Sequence, residues 1–106
     1  MDYLLPIGSL VWINEKPLMI IGYFAKQDDK YFDYICTIYP IGLSNGDLLL
    51  CNNEQIEKVI FIGFQCEQTE TFNKQMLLMR DLYKSGKSES EIAKEIKGVA
   101  VSYENL

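Results

Sequence analysis

The chain has 106 residues, 48% of them apolar and 24% charged, with a formal net charge of −5. That length and mix describe one ordinary globular domain, 1–106, able to bury a core without staples. The acidic balance excludes a general nucleic-acid binder, and the absence of histidine removes Ser-His-Asp and Cys-His pairs, His general bases and His-containing zinc sites together.

Leu5–Phe24 reads as a hairpin around which the rest is arranged. Two apolar runs, Ser9–Ile13 and Leu18–Phe24, flank a polar turn at Asn14-Glu15-Lys16-Pro17. Pro6 biases Leu5 toward extended backbone, and Gly8 permits a turn or bulge before the first strand. Alternation places Leu10 and Trp12 on one face, and Val11 and Ile13 on the other. On the second run it groups Leu18, Ile20 and Phe24 against Met19, Ile21 and Tyr23. Both faces are apolar, which a half-solvated antiparallel strand does not require. The sheet is therefore expected to curve, or even to close like a barrel.

Lys26–Lys30 reads as a hairpin loop, and its Asp28-Asp29 pair as solvated rather than metal-binding. Tyr31–Tyr39 is a third strand, with Tyr34, Cys36 and Ile38 on one face. Residues 41–47 form a loop whose Asn45-Gly46 pair favours a positive-φ turn. Leu48–Cys51 is a short fourth strand, Asn52–Ile56 a turn, and Lys58–Phe64 a fifth strand.

From Thr69 the period becomes helical. Phe72, Met76, Met79 and Tyr83 form one stripe, and its simplest use is packing on the sheet. Leu78 and Leu82 lie beside that stripe, so they are the candidate contacts for a partner protein or a second copy. Gly86 stops this helix, and the capping pattern Ser88-Glu89-Ser90-Glu91 opens another, ended at Gly98. The fold class expected is α+β: a five-stranded, mostly antiparallel curved meander over 5–64, then two C-terminal helices over 69–98.

The functional classes narrow by elimination. Three cysteines, Cys36, Cys51 and Cys66, follow no C-x-x-C spacing and read as free thiols, with Glu67 beside Cys66 opposing a thiolate. No catalytic, cofactor-binding or metal-ligating set emerges, so the chain is expected not to be an enzyme and to need no cofactor. Trp12, Tyr23, Phe24, Tyr34 and Tyr39 are the residues from which a small-ligand pocket would be built. Gly86–Val101 has a helix-turn-helix flavour, but four lysines and four glutamates cancel from Lys84 onward, and nothing resembling a recognition helix follows. No basic n-region or membrane-length apolar run appears, and the expected location is the cytoplasm.

Several short motifs occur in order: Leu5-Pro6-Ile7-Gly8-Ser9, Pro17–Gly22, Asp33-Tyr34, Tyr39-Pro40-x-Gly42, and Asn53–Phe64 with its Val59-Ile60-Phe61-x-Gly63-Phe64 core. Together they resemble a small uncharacterised bacterial family, often found in Gram-positive gene clusters for LXG toxins and type VII secretion. The resemblance covers residues 4–64 and implies no catalytic residue. It implies a chaperone, adaptor or targeting factor acting on a secreted toxin through protein–protein contact, or alternatively the toxin's immunity protein; a small-ligand module built on the aromatic residues is the remaining alternative.

Overall fold

A computed structural model describes residues 3–86. They form β1 (Leu10–Ile13), β2 (Lys16–Gln27), β3 (Lys30–Ile38), β4 (Leu49–Cys51), a 3-10 turn (Asn53–Gln55), β5 (Lys58–Phe61) and α1 (Glu67–Lys84). The chain divides into two compact units, one ending at Phe64 and the next beginning at Gln65. The class is α+β, as expected. The second expected helix, from Ser88, lies outside the described residues.

All pairings in the sheet are antiparallel, in the order β4-β3-β2-β1-β5. This corrects the expectation of a simple meander, because β5 returns to lie beside β1. It also corrects the expectation of barrel closure, since β4 and β5 are the two edges and no ladder joins them.

The turns are tighter than the sequence suggests. Asn14 and Glu15 both take positive φ, 50° and 63°, as do Asp28 and Asp29, at 52° and 63°. Each pair is a two-residue hairpin turn whose twist matches the strands it joins. β2 therefore begins at Lys16, inside the expected turn, and Pro17 pairs with Trp12. Pro17 is tolerated because it lies beyond the end of β3, where its carbonyl accepts from Tyr39 N–H at 2.9 Å.

A bulge resets the faces of β2. The β2–β3 register shifts between Ile20 and Gly22, which inserts one residue. Tyr23 thereby joins Leu18 and Ile20 on the buried face, where plain alternation had grouped it with Met19. The inner face then reads Val11, Ile13, Leu18, Ile20, Tyr23, Tyr34, Cys36 and Cys51, all buried. Leu10 and Trp12 lie on the opposite face, as expected.

Thr37 is buried too, and its hydroxyl has no hydrogen-bond partner. A buried orphan hydroxyl costs more than the methyl that would replace it. Thr37→Val should therefore raise unfolding stability by about 1 kcal/mol, read by urea denaturation. A loss of stability would show that the hydroxyl is bonded.

In the second unit α1 starts at Glu67, earlier than the periodicity suggests. Extended Cys66 takes the cap position, and its N–H donates to Thr69 Oγ1 at 3.1 Å. The helix ends at Gly86, whose φ of 83° only glycine adopts freely. Met76 and Leu82 are its buried residues.

Candidate functional site: a buried polar clasp and an apolar edge strand

The buried polar groups converge on the entry segment. Tyr34 is fully buried on β3, and its hydroxyl donates to Asn53 Oδ1 while accepting from Leu5 N–H at 3.1 Å. Tyr23, its neighbour across the ladder, donates its hydroxyl to the Leu5 carbonyl. Asn53 Nδ2 donates to the Tyr3 carbonyl at 3.1 Å. Asn53 N–H donates to Asp33 Oδ2 and Asp33 N–H to Asn52 Oδ1, each at 2.9 Å. One chain of bonds thus stitches residues 3–5, β2, β3 and the 3-10 turn together. Burial pushes the Tyr34 phenol up to about 12 and raises Tyr23 further still, with the neighbouring phenol adding to the effect. Both stay neutral donors at physiological pH.

A second clasp joins the first and last motifs of the sheet. The buried Ser9 hydroxyl accepts from Gly63 N–H at 2.9 Å. At this crossing the backbones nearly touch: a Cβ on Gly63 would sit 2.3 Å from the Ile7 carbonyl oxygen and 3.0 Å from Ser9 N. Gly63 is glycine because no side-chain atom fits there. Residues 7–9 are held on their other side by Gly8 N–H to Ile20 O at 2.8 Å and Ile20 N–H to Ser9 O at 2.9 Å.

The surface contrasts with this interior. Every residue of β5 is exposed, and the apolar run continues past it: Val59, Ile60, Phe61 (57% exposed), Ile62 and Phe64 (82%). β5 is an edge strand carrying one lysine and no proline, so it lacks most devices that blunt such edges.

The residues singled out from sequence do not assemble into one site. Leu82 is buried, so the chain itself covers it, whereas Leu78 is half-buried and keeps some free surface. The aromatic residues do not share a cavity lining. Tyr23 and Tyr34 are buried in the clasp, Trp12 lies on the opposite face, Tyr39 is exposed, and Phe24 stacks on Tyr31 with ring centres 5.3 Å apart. Asp28 and Asp29 form a hairpin turn, with Asp29 3.6 Å from Lys26 Nζ. Among the described residues no three His, Cys, Asp or Glu side chains gather as metal ligands, and no helix is long and apolar enough to cross a membrane. All three cysteines are free thiols. The expected dominance of Glu67 over Cys66 is overturned: hydrogen bonding to Thr69 outweighs that charge and holds the thiol below its usual value. The Tyr23–Tyr34–Asn53 cluster went unread in the sequence, where Asn53 looks like any turn residue.

These features define a small α+β domain whose buried polar groups fasten its own chain, with an exposed apolar run on a sheet edge. The chain belongs to the family described as a domain of unknown function, DUF4176, which it matches over residues 4–72. The match runs past the sheet into the first turns of α1. No curated protein matches the chain, and neither does any solved structure.

Proposed function

We propose that the protein is a non-catalytic accessory factor, a chaperone, adaptor or targeting protein, for an LXG-type toxin exported by type VII secretion. It acts in the cytoplasm by protein–protein contact. The observation that carries this reading is the apolar run Val59–Phe64 on an edge strand, a surface that a partner strand or helix can cover. The resemblance of the sequence motifs to a family found in such gene clusters supports it, and the match over residues 4–72 to an uncharacterised family agrees with that resemblance. Leu78 on α1 remains a candidate second contact, while Leu82 serves the fold.

The test is affinity capture of a toxin encoded beside this gene, its LXG region and its C-terminal toxic region presented separately. The LXG region should bind. The double variant Phe61→Glu, Phe64→Ser should lose at least about tenfold in affinity, as when anchor residues are removed from an interface, with an unchanged circular dichroism spectrum. Equal capture by wild type and variant would remove the edge strand from the interface. Binding only to the toxic region would favour an immunity protein, and a small molecule retained in native mass spectrometry would favour a ligand module.

A further inference from the structure

The two edges of the sheet differ. β4 has three residues, a short edge of the kind that resists pairing. β5 has four, and its apolar run continues to Phe64 with Lys58 as the single charge from 58 to 64. The five apolar side chains of that run are exposed by 37% to 82%, on the order of 500 Å² of open apolar surface per copy. Two such surfaces joined would hide about 1,000 Å², the least that a specific interface needs. Identical strands paired antiparallel about a twofold axis must set one residue opposite its own copy. Centred on Lys58, the pair would oppose two lysines. Centred on Val59, it would set Phe61 opposite Glu57, whose carboxylate is already held by Asn14 N–H at 2.9 Å. Centred on Phe61, it would use Gly63, whose N–H is turned inward to Ser9 Oγ. Centred on Ile60, it sets Val59 opposite Phe61 and Lys58 opposite Ile62, with no like charges facing each other.

We propose that β5 pairs antiparallel with β5 of a second copy of this chain, about a twofold axis at Ile60, joining two five-stranded sheets into one of ten strands. The pairing is self-complementary and closed, and it leaves only the short β4 strands as edges. Pairing β5 with β4 of another copy would instead use three residues and leave a β5 edge open at the far end, the geometry of a filament. The area is at the lower limit for a stable pair, so the dimer is reversible, with a dissociation constant on the order of micromolar. Each copy carries a net charge of −5, so the copies repel at long range and salt strengthens the pair by screening. The pairing needs no toxin, and thus goes beyond the proposed function. It uses the same edge, so a toxin segment bound there and a second copy exclude each other.

The test is sedimentation equilibrium of the full chain alone, from about 1 to about 100 µM, with reductant present because Cys66 is an exposed thiol. The wild type should pass from monomer to dimer across that range, and added salt should favour the dimer. Ile60→Lys and Ile60→Glu, each by itself, should dissociate at least about tenfold more readily, because the axis sets the new charge opposite its own copy. Mixed in equal amounts, the two variants should pair again. A wild type that stays monomeric would overturn the proposal. So would a dimer that both charged variants keep unweakened, or a mixture that pairs no better than its components. If either charged variant loses its circular dichroism spectrum, Val59→Lys and Phe61→Glu, opposed in the same register, replace them in the mixture. No toxin enters the measurement, so a monomeric protein that still captures the LXG region overturns the self-pairing alone.

Discussion

Gly63→Ala should destabilise the protein by about 3 kcal/mol, the upper end for an overpacked site. The obstacle is backbone on both sides: the new methyl would meet the Ile7 carbonyl oxygen at 2.3 Å and Ser9 N at 3.0 Å. No rotamer change relieves such a contact. Residues 7–9 cannot retreat without giving up the bonds from Gly8 to Ile20, from Ile20 to Ser9 and from Gly63 to Ser9 Oγ. Gly46→Ala is the control. It also places alanine on a glycine, but its Cβ meets nothing, and only a φ of 78° opposes it, a backbone cost of about 1 kcal/mol. Urea denaturation of both variants separates crowding from backbone preference. Equal losses would mean that the crossing at Gly63 is looser than described.

Tyr34→Phe should cost about 2–3 kcal/mol, because it strands two buried groups at once, Asn53 Oδ1 and Leu5 N–H. Its second signature is in alkali. The folded-state phenol ionises near 12 against an ordinary 10.0. Between those values the unfolded chain releases a proton that the folded chain keeps, so stability is whole below pH 10 and falls as pH rises toward 12. Tyr23, raised in the same direction, adds to the fall. Tyr34→Phe should therefore be less stable at neutral pH yet lose less on going to high pH. A variant with the wild-type slope would show that Tyr34 ionises normally in the folded state.

The strands were readable where apolar residues alternate without interruption. Val11 and Ile13 share a face as their alternation predicts, and so do Tyr34 and Cys36; that face is the buried one. Tyr23 was misplaced because a bulge one step earlier shifts the count, and nothing in Ile20-Ile21-Gly22 announces it beyond the glycine. The position of β5 was unreadable for a different reason. Lys58–Phe61 carries a strand pattern, but its choice of β1 over β4 as neighbour is made by the crossing at Gly63 and by Glu57 N–H bonding to Trp12 O at 2.9 Å. Those contacts join residues some fifty positions apart, and a local pattern does not encode them. The clasp was hidden likewise: Asn53 has no local feature that points to Tyr34, which it meets only after β3 and β4 have paired. On α1 the apolar stripe was visible, but it did not tell that Leu82 would be covered and Leu78 only partly so.

The clasps also set an order in time. Tyr3–Ser9 leaves the ribosome long before its partners do. Leu5 waits for Tyr23 and Tyr34, Tyr3 for Asn53, and Ser9 for Gly63, 54 residues later. A nascent chain halted short of Asn53 can form the β2–β3 hairpin, whose contacts are local, yet leaves Tyr3 without Asn53 and Ser9 without Gly63. Residues 3–9 are fully fastened only once Gly63 has been made, so during synthesis this segment stays partly open until the sheet is almost complete.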